Sequence, residues 1–212
     1  MRPPVDEQKP PTLSASFPVP ATDVVDSFPH MNGSAVDPHT FRLAMRRFAS
    51  PVTVVTARTE AESRGITIGS FTSVSLEPPL VSFNIHKEAD THDVLLKAGR
   101  FSVHLLTEEQ SFLAHHFARP DLTPEEQFEP VTFYEKNGLI HLSSIQTIFD
   151  CELVNAYDAS DHTIVVGEVI GVYVEGEPKR PVLYFNQSYR RVGQEVKGSA
   201  FSPVKRSSSE SS

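Results

Sequence analysis

Hydrophobic positions follow regular periods between about residues 37 and 193 and none outside that span. Phe41, Ala44, Met45 and Phe48 recur at i, i+3, i+4 and i+7, one stripe of a short helix that Asp37 caps and Pro38 opens. Arg42, Arg46 and Arg47 fall off that stripe and read as a solvated face. The β-branched run at 52–56 predicts a strand. Residues 64–74 and 80–85 predict two more, parted by Glu77-Pro78-Pro79, a corner that a continuous strand does not contain. Residues 91–96 predict a short helix capped by Thr91, and 101–106 a strand. Thr107 with Gln110 forms a capping box ahead of Leu113, Ala114 and Phe117, which predicts a helix over about 108–118.

After a stretch rich in proline and acids, Thr147, Phe149, Cys151 and Leu153 alternate with Asp150 and Glu152, the pattern of a half-buried strand. Residues 162–174 are β-rich on both faces and predict a central or interface-forming strand. A last short strand falls at 181–185. Six or seven strands with few helices, none alternating regularly with strands, predict a mainly β fold of the barrel type rather than a doubly wound sheet. The organisation that follows is a disordered proline-rich tail over 1–36, one folded domain over 37–193 and a disordered serine-rich tail over 194–212.

Composition narrows the function classes. Of the 212 residues 39% are hydrophobic, and no apolar run approaches a membrane span. A net charge of −8 argues against a nucleic-acid binder. Cys151, the single cysteine, precludes an intramolecular disulfide and a cysteine-based zinc site, and fits a reducing compartment. The N-terminal segment has neither a secretory nor a mitochondrial targeting pattern, so the expected setting is cytoplasmic. Among the histidines, His115 and His116 are adjacent and face different sides of their helix, and no metal site is expected. No Gly-x-Ser-x-Gly is present, and Cys151 lies on an apolar strand face, where a thiol is inert. Phe112 and Phe117 read as core residues.

Three stretches remain as candidates for chemistry. Gly65–Phe71 is a run of small residues in which Gly69 removes a side chain while Thr67 and Ser70 offer hydroxyls and backbone N–H groups to a flat ligand. A glycine bulge at a barrel corner explains the same run, and on local sequence is the commoner meaning. His86–His92 carries Lys87 into a helix N-terminus, a place suited to a phosphate. An ordinary exposed connection explains it equally well. His162, after Ser160-Asp161, stands at a strand start where an imidazole can bond a ligand amide, although many such histidines are merely exposed.

In order, the motifs FRxAMxxFASxVTVVT, GxTxxSFxSVSLxPPLVSF, the Thr-His helix, FSVHLLxxxQxxLAxxFA, DHTIVVGEV and PVLYFxxxY resemble those of the flavin reductase-like family over about residues 38–192. These are FMN-binding split-barrel proteins similar to the reductase components of two-component flavin monooxygenases. The resemblance implies a Greek-key antiparallel barrel with a few short helices, a homodimer, and hydride transfer from NADH or NADPH to FMN or FAD, supplied to a flavin-dependent monooxygenase partner. It implies a first-strand edge to the flavin at Ser50, Pro51, Val52 and Thr53, and a lining at Thr67, Ile68, Gly69, Ser70 and Phe71. It puts the phosphate side at Asn84, Ile85, His86, Lys87, Asp90, Thr91 and His92, with Phe117, Tyr184, Tyr189 and Arg190 beside the cofactor. His162 becomes the candidate catalytic residue, orienting the nicotinamide. Pro51, Gly69 and Ser160 depart from the family's usual Gly, Ser and Gly. Two other readings share the resemblance: a split-barrel flavoprotein with tightly bound FMN acting as oxygenase or dehydrogenase, and a non-catalytic flavin-binding protein.

Overall fold

The computed structural model of the chain describes residues 36–194, so the two expected tails lie almost wholly outside the described residues. Helix α1 (Pro38–Met45) leads into strands β1 (Ser50–Pro51), β2 (Thr53–Arg58), β3 (Ser63–Ile68), β4 (Thr72–Leu76) and β5 (Pro79–His86). Helix α2 (Asp90–Ala98) and strand β6 (Arg100–Leu105) follow, then a 3₁₀ turn (Glu108–Gln110), α3 (Ser111–His116) and α4 (Pro124–Phe128). The hairpin β7 (Phe133–Lys136) and β8 (Leu139–Leu142) precedes the long strands β9 (Thr147–Ala159) and β10 (His162–Val174), and β11 (Val182–Phe185) and β12 (Ser188–Arg191) end the fold. No helix among the described residues is long and apolar enough to cross a membrane.

Seven strands form one antiparallel sheet in the order β3-β2-β6-β9-β10-β5-β4. Its two edge strands, β3 and β4, are joined by Gly69, Ser70 and Phe71 alone. In a flat sheet those edges would stand roughly 29 Å apart. The link from Ile68 to Thr72 reaches about 15 Å at full extension. The sheet therefore curls until its edges approach each other. This corrects the continuous strand expected over 64–74: the chain leaves one edge of the sheet and enters the other within three residues.

Curling gives the sheet two apolar faces. Val55, Phe83, Phe101, Val103, Cys151 and Val165 form one cluster with Val94 and Leu95 of α2. Val54, Leu106, Ile140, Leu142 and Ile148 form the other beneath Leu113, Ala114 and Phe117 around α3 and Phe128 of α4. Strand β2 feeds both, which is why its run does not alternate. Burying a large aliphatic or aromatic side chain contributes about 1.5–3 kcal/mol, so these clusters supply most of the drive to fold. Close packing reaches the backbone at Gly167, where an added Cβ would sit 2.5 Å from the buried Phe101 ring. Cys151 is fully buried, and burial pushes its thiol up to about 12, as an inert core residue requires.

Other expectations change. The α1 stripe exists, and the described residues leave it uncovered: Phe41, Met45 and Phe48 are 59%, 48% and 64% exposed. Phe112, read as core, is 61% exposed. The acid-rich stretch contains α4 and the β7–β8 hairpin, and the pairing regions number more than the six or seven strands expected. Thr91 does not cap α2. Ala89 occupies that position, and the Thr91 hydroxyl donates to the Gly65 carbonyl at 3.1 Å.

Asp150, expected on the polar face of β9, is buried. The Ser102 hydroxyl donates to its Oδ1 at 2.7 Å, and His141 Nε2 lies 2.8 Å from the same oxygen. Nearby His104 is buried with both nitrogens used: Nδ1 donates to the Val54 carbonyl at 3.0 Å, and Nε2 accepts the Leu142 N–H at 3.1 Å. Burial pushes the His104 imidazolium down to about 4. The folded state thus keeps His104 neutral where the unfolded chain, at about 6.5, takes up a proton. Stability should fall as pH drops from about 6.5 towards 4, with a contribution on the order of 3 kcal/mol from this group. Urea unfolding from pH 7 to 4 measures it, and His104→Gln should flatten that part of the profile; an unchanged slope would contradict the assignment.

Candidate functional site

Side chains alternate along paired strands, and on β5 and β10 the alternation separates core from site. Phe83, Ile85, Thr163 and Val165 are buried, while Asn84, His86, His162 and Ile164 lie between them. The register sets His162 opposite His86 and Ile164 opposite Asn84. These four, with Ile66, Thr67, Ile68, Gly69, Ser70 and Ala159, line a cavity of about 580 Å³. That volume lies within the range of small-molecule sites. None of its lining side chains is a carboxylate, a cysteine, a lysine or an arginine.

The three-residue link forms one rim. The Ser70 hydroxyl accepts the Asn84 N–H at 2.8 Å and donates to the Asn84 carbonyl at 3.4 Å, which fastens the link to β5. Gly69 lies against β1, where an added Cβ would come 3.2 Å from Ser50 Oγ. Because the link belongs to neither edge strand, the N–H groups of Gly69 and Ser70 make no hydrogen bond among the described residues. Exposed donors of this kind suit the carbonyl and ring-nitrogen edge of a flat heterocycle.

The other rim holds two imidazoles. His162 Nδ1 lies 2.8 Å from Asp161 Oδ1, and that hydrogen bond holds the Asp161 carboxyl below the usual carboxylate range. An ionised carboxylate only accepts, so His162 Nδ1 donates. The His86 ring stands edge-on to the His162 ring at 5.0 Å, and its Nδ1 accepts the Glu88 N–H at 3.1 Å. The Lys87 N–H donates to the Asp161 carbonyl at 3.0 Å, joining the two strand ends behind the rings.

Other candidates are placed elsewhere. The Thr67 hydroxyl donates to the Ala114 carbonyl at 2.8 Å and its N–H to the Phe117 carbonyl at 3.1 Å. Thr67 thus lines the cavity with its donors already used, against the expectation that it offers them. Val52, Ile85 and Phe117 belong to the core, and Phe71 packs at the core's edge with its ring 5.9 Å from Phe149. Thr53 is buried and donates to the Ile68 carbonyl at 3.2 Å. His92 is buried, with Nε2 2.9 Å from Thr163 Oγ1 and Nδ1 2.8 Å from Asp93 Oδ1, so it does not open to a ligand.

Lys87 pairs with Asp158 at 2.5 Å. Asp90 and Thr91, with Phe117 and Arg119, line an adjoining cavity of about 240 Å³ that shares Ile66 and Thr67 with the first. Arg64 lies 3.6 Å from Asp90, and Arg119 pairs with Asp121. Ser50 and Pro51 pair with Tyr184 and Leu183, and Tyr184 and Tyr189 contact each other edge-on at 5.5 Å. Burial raises the Tyr189 phenol. Arg190 is exposed.

Sequence reasoning missed Ile66, Ala159 and Ile164 as wall residues. The spacing of Asn84 and His86 on one strand, and of His162 and Ile164 on the other, was the available signal. It becomes informative only once the two strands are paired. The assembled site holds no activated nucleophile, and no cluster of three or more metal-ligating side chains occurs among the described residues. It can bind a flat polar-edged ligand and orient a second one. Bond-making groups must come with the ligands.

Residues 45–193 match the family described as "Flavin reductase like domain". The chain is 41% identical over 152 residues to the reductase component of 4-hydroxyphenylacetate 3-monooxygenase from Thermus thermophilus, covering 72% of this chain and 95% of that protein. It is 34% identical over 158 residues to the NADH-dependent flavin reductase StyB of Pseudomonas fluorescens, covering 73% of this chain and 89% of that one. Its fold is similar to the NADH:FAD oxidoreductase SgcE6 of Streptomyces globisporus C-1027, solved with NAD and FAD fragments. There the TM-score is 0.68 at 33% identity, over 76% of this chain and 97% of that structure.

Proposed function

This chain belongs to the flavin reductase-like family, and from that premise we propose that it transfers a hydride from NADH to FMN or FAD and releases reduced flavin to a partner monooxygenase. The observation that carries this reading is the cavity between Gly69-Ser70 and His86-His162: binding groups on both rims and no carboxylate, thiol, lysine or arginine in its lining. We take the curled sheet as the family's split barrel.

The residues present fit a flavin. Ile66, Ile68 and Ile164 give the wall apolar surface for a planar ring system, and the unbonded N–H groups of Gly69 and Ser70 give its polar edge donors. A flavin held there would supply the hydride acceptor, whose reduced ring would carry negative charge. Fixed backbone donors stabilise such charge without reorganising, which is the largest contribution a site of this kind makes. Ser70 keeps its own position through both bonds to Asn84. The first turn of α2 beside Arg119, in the adjoining cavity, is our placement for the flavin's phosphate, where the helix dipole contributes roughly 0.3–1 kcal/mol. Lys87, expected on the phosphate side, is paired with Asp158 and lines neither cavity. His162, held by Asp161, orients the nicotinamide for close approach, and positioning of this kind replaces an entropic cost that free reactants bear.

The chain's setting is taken as cytoplasmic, in keeping with its single buried thiol. The assay that tests the function follows NADH oxidation by purified protein with and without added FMN or FAD. Turnover should depend on added flavin. Retained yellow colour with no stimulation by free flavin would instead identify a tightly bound cofactor, and absence of flavin bleaching under excess NADH would identify a carrier.

A homodimer accounts for the surface that the fold leaves bare. No residue of α1 is buried, and Phe41, Met45 and Phe48 stand exposed, as do Ile170, Val172 and Val174 along β10. An apolar stripe of this kind on a short helix is stable when something covers it. Sedimentation equilibrium should give twice the 23.5 kDa chain mass, and Phe41→Asp with Phe48→Asp should shift the species towards monomer. A monomeric wild type would overturn the assignment.

A further inference from the structure

The two imidazoles on the cavity rim differ in polarity, and the difference is fixed by their neighbours. His86 Nδ1 accepts a backbone N–H from Glu88, so a neutral His86 carries its proton on Nε2. His162 Nδ1 donates to Asp161, so a neutral His162 has a lone pair on Nε2. Neither Nε2 has a hydrogen-bond partner among the described residues, and the rings stand 5.0 Å apart as register partners on the same cavity wall. The rim therefore presents one donor and one acceptor side by side.

We propose that His86 is a specificity residue of this site, and that His86 and His162 together recognise the primary carboxamide of the nicotinamide ring. His86 Nε2–H donates to the amide oxygen, and His162 Nε2 accepts from the amide nitrogen. A carboxamide has this pairing of acceptor and donor on one planar group. A carboxylate has two acceptors and an acetyl group has one, so neither satisfies both rings. The assignment moves His86 from the phosphate side of the site to the nicotinamide side. It rests on the hydride-transfer reading, because it names the group of the reductant that the rim holds.

The experiment compares NADH with two reduced analogues at saturating flavin, for wild type and for His86→Phe and His86→Gln. In the thionicotinamide analogue sulfur, a weak acceptor, replaces the amide oxygen, and the amino group stays. The acetylpyridine analogue keeps the oxygen and lacks the amino group. Wild type should prefer NADH over each analogue. His86→Phe should raise the KM for NADH about tenfold, the worth of one neutral hydrogen bond, with kcat nearly unchanged. It should also abolish the preference for amide over thioamide while preserving the preference for amide over acetyl. His86→Gln, which keeps a side-chain donor, should restore part of the affinity.

An unchanged KM and unchanged preferences in His86→Phe would overturn the proposal. So would equal loss of both preferences, which marks general damage to the wall rather than a lost donor. Flavin affinity measured on the same variants should match wild type and shows whether the wall survives. If wild type itself fails to oxidise NADH with any flavin, the hydride-transfer reading fails and this inference falls with it. An active wild type with an indifferent His86→Phe sinks the inference alone.

Discussion

The link Gly69-Ser70-Phe71 constrains everything else in this molecule. It joins the two edges of a seven-stranded sheet with a reach about half of what a flat sheet would demand, so the sheet has to curl. Curling creates the two apolar faces that the core clusters fill. It also brings the link across to β5, where the Ser70 hydroxyl fastens to the Asn84 backbone. Backbone at such a crossing belongs to no ladder, so its N–H groups stay available to a ligand. One geometric requirement thereby produces both the fold and one rim of the site.

The other rim depends on the pairing of β5 with β10. Period-2 alternation directs Phe83, Ile85, Thr163 and Val165 inward and leaves Asn84, His86, His162 and Ile164 for the cavity. Charges nearby are paired with each other, Lys87 with Asp158 and Arg119 with Asp121, and none lines the cavity between the two rims. A neutral, hydrogen-bonding wall suits the transfer of a hydride between two bound heterocycles, in which the protein supplies orientation and dipoles rather than reacting groups.

Local pattern carried much of this fold. The helix opening at Pro38, the capping box at Thr107 and the bounds of β10 are local facts, written in residues close together. The Gly69 region was legible as small and polar, but not as a crossing between edges, because only the strand order reveals that. Asp150 misled for a related reason: alternation along β9 assigns it to solvent, yet Ser102 and His141 come from other strands to receive it. The α1 stripe was legible as apolar, but what covers it was not, because periodicity names a face and not its partner. His162 and His86 were both legible in sequence as candidates, one at a strand start and one in the run before α2, but not as a pair, since their opposed polarity arises from Glu88, Asp161 and a cross-strand register.

In this reading flavin seats on the backbone donors of the edge-to-edge link. Titration of FMN into isotopically labelled protein, followed by the backbone amide signals in NMR, reports on those donors one by one. The Gly69 and Ser70 N–H resonances should move furthest downfield, as amides do on gaining an acceptor, with Asn84 following through its bond to Ser70. Saturating FMN that leaves both amides in place while shifting signals elsewhere would contradict it.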